Sequence, residues 1–368
     1  MNQVYFPNDP MGVLWRIPFR PDWAVACAAP DRFHGGFCFG AENGEIACTD
    51  VDGVLRFGLK AGPSAQSING LAWSRNFLVA TSRQEIRVTG PWCNEGPASP
   101  SLVMDIGAFG VNVTPNGHFV LPLGRGGFLR IDIDNPLTEP AVLGPTNGDE
   151  MNLYAVAAFT DAEGADVLAF AARRGGLACA TFGEPTSRLT LRTMAVDGLD
   201  IVDIASLATA RLPRAALAAS KDGSLLFFDD IKSTQKCRRL KFKTIAGSLY
   251  RVLVANEDVY LLTSKALYLV PDLARTFREG NRNGTIDFSI LVIPIQASDC
   301  TMVAENWLLA VGHHEVFRFN LPLLRSSPKH GQTSTTISDF RREAPVESET
   351  DVTWCESEMQ SHHFAASA

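Results

Sequence analysis

The chain lacks the features that mark several large functional classes. No stretch of its 368 residues approaches 18 uninterrupted apolar positions, so no helix is expected to cross a membrane. The first ten residues carry neither a basic segment nor an apolar run, and no secretory signal is expected. The eight cysteines, at 27, 38, 48, 93, 179, 237, 300 and 355, show no Cys-x-x-Cys and no paired spacing. Several, such as Cys48 and Cys179, sit in apolar strand patterns, where a free thiol acts as a small buried hydrophobe in a reducing compartment. A cytoplasmic location is therefore the expectation. Gly-x-Ser-x-Gly, His-Glu-x-x-His and Gly-x-x-x-x-Gly-Lys-Ser/Thr are all missing, which removes the sequence grounds for the enzymes those motifs serve. The histidines are spread widely, and the pair His313-His314 has no third ligand near it in sequence, so neither a metal nor a cofactor is expected. A net charge of −7 argues against a general nucleic-acid binder and leaves room for a local basic patch.

What the chain does hold is one phrase, repeated. At 216–230 an apolar run, Ala216 to Ala219, meets Ser-Lys-Asp-Gly and a second apolar run, Leu225 to Phe228, that ends at Asp229. This reads as a tight β-hairpin with Gly223 at a positive φ. Similar groups of four short strands recur, with first strands starting near 23, 68, 108, 153, 201, 248 and 298, about 40 to 50 residues apart. That period, with four strands per unit, predicts an all-β, seven-bladed β-propeller. The blades fall near 23–60, 68–105, 108–144, 153–196, 201–244, 248–295 and 298–321. The seventh has no fourth strand of its own. The orphan strand at 13–19 is expected to supply it and so close the ring, leaving no open array edge. The propeller is assigned to 1–324. Residues 325–368 are polar and acidic, with little apolar periodicity, and read as a disordered tail.

The stretch Lys221-Asp222-Gly223-Ser224-Leu225-Leu226-Phe227-Phe228-Asp229 resembles the end of a WD40 repeat, where an Asp-Gly turn leads an apolar strand closing on an aromatic residue and Asp. Glu42-Asn43-Gly44-Glu45-Ile46 and the Gly-Gly turns at 126 and 175 echo it. The resemblance implies a divergent propeller over about 13–321. There is no Trp-Asp dipeptide, and Gly117-His118 and Gly312-His313 do not open a blade, so the resemblance carries over no hydrogen-bonded Asp-His-Ser/Thr-Trp network and no binding residue.

The second hairpin turn of every blade should lie on one face. These turns hold Arg83, Arg125, Arg173 with Arg174, Lys221, Lys265 and His313 with His314, against Glu42 in the first blade. A ring of cations would select an acidic partner; the plainer alternative is a set of solvated polar turns. In the tail, Trp354 stands among Glu343, Glu347, Glu349, Asp351, Glu356 and Glu358, a candidate short peptide ligand for this chain or another. The expected function is a non-catalytic protein–protein interaction scaffold, monomeric within a hetero-complex, that binds through its loop faces and tail. An anion- or nucleic-acid-binding propeller using the same cations is the alternative class. A hydrolase with channel carboxylates stands third, because the inner strands read as mostly apolar.

Overall fold

The computed structural model describes residues 15–17, 24–31, 35–51, 53–60, 66–93, 96–97, 101–125, 127–140, 142–143, 152–161, 163–172, 176–182, 189–194, 199–232, 236–242, 245–278, 284–304, 306–312, 315–326, 331–341 and 350–352. In chain order a short strand β1 (Trp15–Ile17) precedes blade 1, made of β2 (Val25–Asp31), β3 (Gly36–Ala41), β4 (Glu45–Thr49) and β5 (Leu55–Lys60). Blade 2 comprises β6 (Gly70–Ser74), β7 (Phe77–Thr81), β8 (Ile86–Thr89) and, beyond a small hairpin of β9 (Trp92–Cys93) and β10 (Gly96–Pro97), β11 (Ser101–Met104). Blade 3 comprises β12 (Asn112–Val113), β13 (Phe119–Pro122), β15 (Phe128–Ile131) and β16 (Val142–Leu143), with β14 (Gly124–Arg125) leaving it to pair with blade 4.

Blade 4 holds β17 (Asn152–Thr160), β18 (Asp166–Ala172), β19 (Gly176–Phe182) and β20 (Leu189–Met194). Blade 5 holds β21 (Ile201–Ser206), β22 (Ala216–Ser220), β23 (Ser224–Phe228) and β24 (Lys236–Lys241). Blade 6 holds β25 (Leu249–Ala255), β26 (Asp258–Thr263), β27 (Leu267–Val270) and β28 (Gly284–Ile293), with helix α1 (Leu273–Arg278) inserted before its last strand. Blade 7 follows as β29 (Asp299–Ala304), β30 (Trp307–Val311) and β31 (Val316–Asn320), and helix α2 (Leu321–Arg325) ends it. Its outermost strand is β1, which pairs antiparallel with β31 through Trp15↔Arg318, Arg16↔Phe317 and Ile17↔Val316. Seven four-stranded antiparallel blades thus close on an N-terminal strand, as the repeat pattern requires.

The middle strands explain why the apolar runs are continuous rather than alternating. Along β23, Leu225 and Phe227 pack into the seam with blade 6, while Leu226 and Phe228 pack into the seam with blade 4. Successive side chains point to opposite faces, and in a propeller both faces of a blade are covered by neighbours. The hairpin before β23 is local chemistry. Gly223 takes φ +83°, which a Cβ would disfavour, and the Asp222 carboxylate accepts the Ser224 N–H at 3.0 Å.

Two strands fall in the stretch read as a disordered tail. β32 (Gly331–Arg341) runs between the outer edges of blades 5 and 6, pairing with β24 and β28, and β33 (Thr350–Val352) adds to β20. Composition alone favoured no structure there because the segment has few apolar residues. Its order instead comes from open strand edges that are distant in sequence, whose backbone groups need partners.

Candidate functional site

The inner strands of the seven blades line a central channel of about 930 Å³. The second hairpin turns of blades 1, 2, 5 and 6 sit at one mouth of it, since the chain leaving the second strand of each bonds to residues that lead into an inner strand. Glu42 N–H donates to Ala24 O at 2.8 Å, Ala108 N–H to Ser82 O at 2.9 Å, Lys221 N–H to Asp200 O at 2.9 Å and Ser264 N–H to Ser248 O at 3.2 Å. Three predicted contact residues stand exposed on this face, namely Arg83 of blade 2 and Lys221 and Lys265 of the adjacent blades 5 and 6. Each turn is shaped by a short polar side chain. Ser82 Oγ accepts the N–H groups of Gln84 and Glu85, and Thr263 Oγ1 accepts those of Lys265 and Ala266.

Beside Lys221, Asp222 is committed to the outer strand β24, to Arg239 at 3.0 Å and Lys241 at 3.3 Å. Partial burial works to raise its pKa, but bonds from Ser224 and Lys241 outweigh this and hold it below the usual carboxylate range. Arg125 lies in the connection between β13 and β15, which Leu123 N–H closes by donating to Gly127 O at 3.0 Å, and its backbone there forms β14, paired with Asn152 at the start of β17. That pairing gives the open backbone of β17 a partner. Arg173, Arg174, His313, His314 and Trp354 lie outside the described residues.

Inside the mouth the wall carries a charged trio that the apolar reading of the inner strands missed. Asp203 of β21, Arg251 of β25 and Asp299 of β29 come from three consecutive blades. Arg251 Nε donates to Asp299 Oδ1 at 2.7 Å, and its Nη1 lies 3.7 Å from Asp203 Oδ1. Asp203 also accepts the Val252 N–H at 2.8 Å, and Asp299 accepts the Ala28 N–H of blade 1 at 3.3 Å. The trio therefore links the inner strands of blades 5, 6, 7 and 1 across the point where the ring closes. Burial raises the Asp203 pKa, with Arg251 and backbone N–H groups opposing, while the Asp299 carboxylate foremost pushes Arg251 up. Among the described lining residues these three are the only charges, with a formal sum of −1. Phe109 and Tyr154 also line the channel as an edge-on aromatic pair 4.6 Å apart, and Phe109 is 37% exposed.

No family model matches the chain, and no curated protein matches it in sequence. Solved structures do match. The β-propeller domain of Cps50 (Swd1) from Myceliophteria thermophila aligns over 81% of this chain and 97% of that one, with a TM-score of 0.55 and 15% identity. The structure of U3-55K aligns over 84% and 98%, at TM-score 0.59 and 12% identity. The WD40 repeats of RRP9 align over 83% and 97%, at TM-score 0.60 and 12% identity. The fold is that of a WD40 propeller. At such identities the likeness is one of architecture, and the site residues rest on the geometry of this chain.

Two further polar clusters lie away from the channel in this WD40-type propeller. Asp31, Cys38 and Cys48 are buried between strands of blade 1, with ligand-type atoms all within 4.8 Å of one another. Their spacing in sequence gave no sign of this; it follows from the cross-strand pair Cys38↔Cys48. Among the described residues these three donors are one short of the four that a closed structural zinc site uses. Burial first, with Cys48 and Asp31 adding to it, pushes the Cys38 thiol well above its ordinary value, so it keeps its proton and accepts the Trp73 indole N–H at 3.2 Å. In blade 3, burial and then Arg130 lower the His118 pKa, and His118 Nδ1 accepts the Ile133 N–H at 3.3 Å. That nitrogen carries no proton, so its approach to Asp132 at 3.3 Å is not an ion pair.

Proposed function

We propose that this chain is a non-catalytic interaction scaffold that receives an acidic segment of a partner protein on the face where Arg83, Lys221 and Lys265 surround the channel mouth. The observation that carries this reading is the pairing of exposed cations with the Phe109–Tyr154 aromatic pair at the same opening. Interfaces draw most of their affinity from a few aromatic and cationic anchors, and a rigid rim holds such anchors with little ordering cost. The buried charges of the channel support the same assignment. Asp203, Arg251 and Asp299 are spent on one another and on backbone N–H groups, an arrangement that braces the rim.

The test is affinity purification of the full chain beside the triple variant Arg83→Glu, Lys221→Glu, Lys265→Glu, with thermal melting to show that both are folded. Specific proteins that bind the first and are lost from the second, with release by moderate salt, support the reading. Retention of the same proteins by the variant sinks it. If nucleic acid or polyphosphate follows the cations instead, the partner is a phosphate polymer and the alternative class stands.

A further inference from the structure

The geometry points to the seam between blades 5 and 6 as a strand-acceptor site, filled in cis by residues 331–341 and open to an extended, proline-free, Ser/Thr-rich segment of a partner protein. β32 is not an ordinary outer strand. It pairs antiparallel on one side with β24, from Lys236↔Arg341 to Leu240↔Ile337, and on the other with β28, from Gly284↔Ile337 to Ile290↔Gly331. Two four-stranded blades become one nine-stranded sheet through this single strand. The two pairings meet at Ile337, so β28 edges residues 331–337, β24 edges residues 337–341, and the one strand bridges the two blade edges end to end. Among the described residues, β5, β11, β16 and β1 have no further strand on their outer side.

The occupant shows what kind of segment the seam accepts. Gly331-Gln-Thr-Ser-Thr-Thr-Ile-Ser-Asp-Phe-Arg341 has two large apolar residues, Ile337 and Phe340, and no proline. Such a segment brings little apolar surface to bury, so backbone hydrogen bonds, to β28 along 331–337 and to β24 along 337–341, must carry its docking. A site read through the backbone accepts other strands of the same shape. What favours the cis segment is its tether. Helix α2 is anchored just upstream, with Leu321 and Leu324 buried and Arg325 bonded to Asp272 at 2.6 Å and paired with Asp258 at 3.4 Å. Only residues 326–330 separate that anchor from Gly331. A tether this short gives an effective concentration on the order of millimolar, which a partner must exceed by affinity or avidity.

The experiment uses the full chain, the double variant Thr335→Pro, Ile337→Pro, and a labelled peptide of sequence 331–341. Thr335 pairs with Ile286 of β28, and Ile337 with both Gly284 of β28 and Leu240 of β24, so the prolines remove ladder donors from the bridging strand and should undock it with no substitution in any blade. Hydrogen exchange at 236–240 and 284–290, the residues paired with the strand, is expected to be slow in the parent, fast in the variant and slow again when the peptide is added. The peptide should bind the variant at least about 100-fold more tightly than the parent, since the tethered strand competes only in the latter. If the variant fails to fold, a parent chain with a protease site at 327–330, cleaved after folding, replaces it. Seam amides equally slow in an undocked chain, or fast amides with no peptide binding, overturn the proposal. Full chains that exchange the strand as dimers overturn it in favour of a second copy as the occupant.

Discussion

Replacing Arg251 by leucine tests the charged trio that spans the closing side of the ring. The change leaves Asp203 and Asp299, whose side chains are each 6% exposed, without their shared cation. Removing one partner of a buried ion pair costs about 3–5 kcal/mol, because the remaining charge is desolvated and uncompensated. Arg251 itself is 39% exposed to channel water, which screens the pair, so the expected loss is smaller, about 2–3 kcal/mol at pH 7.5. For a chain of 368 residues that is a fall in Tm of about 3–4 °C.

The sign of the pH dependence follows from Asp203. Its folded pKa already lies above its ordinary value, and losing Arg251 removes a group that opposed the rise. A carboxyl with a raised folded pKa binds more protons folded than unfolded, so its contribution to stability is best at low pH. That contribution is lost as pH climbs from about 3.9, the unfolded value, through the folded value. The deficit of Arg251→Leu against the parent should therefore be largest at pH 7.5 and shrink toward pH 5. The triple variant Arg251→Leu, Asp203→Asn, Asp299→Asn should recover part of the loss at pH 7.5, since no unpaired charge is left. Urea denaturation of the three proteins at both pH values measures this. An equal deficit at pH 5 and 7.5, or none at either, refutes the assignment of Arg251 as the counter-ion of the two carboxylates.

Deleting residues 1–22 removes β1 and bares the edge of β31; three lost strand pairs predict a loss of about 2–3 kcal/mol, and light scattering should show added self-association. Gly107→Ala places a Cβ 1.8 Å from Arg83 O, so the Arg83 turn must shift. Stability should fall by about 2–4 kcal/mol, and if that turn contacts the partner, affinity falls beyond what a melting curve accounts for. Burial pushes the Cys27, Cys38 and Cys300 thiols up, so a thiol reagent at pH 8 should leave them unmodified in the folded protein and label them only after unfolding. Peptide mapping that finds Cys38 labelled in the native state contradicts that prediction.

The blade count and the ring closure were legible in the sequence because each rests on short-range signals. Four-strand phrases recur at a fixed period, turns such as Asn43-Gly44 and Asp222-Gly223 supply φ of +81° and +83°, and the missing fourth strand of the last blade matches an orphan strand at the other end. The exposed positions of Arg83, Lys221 and Lys265 followed from the same logic, since a hairpin turn fixes its own polarity. Arg125 lies in the corresponding connection of blade 3, and only the pairing of that connection with the next blade through β14 was not legible. The remaining features depend on contacts that no local pattern encodes. Asp203, Arg251 and Asp299 are each a lone charge in an apolar strand, and only closing the ring sets them side by side. Cys38 and Cys48 meet through register, not spacing. The strand at 331–341 has a composition that promises no structure, and it is ordered by two blade edges whose backbone groups lacked partners. Periodicity and turn chemistry thus determined the architecture, since both act between residues near in sequence. Which charges meet, and which edges are filled, was decided by the tertiary structure, because electrostatic pairing and edge capping act between residues that only the closed ring brings together.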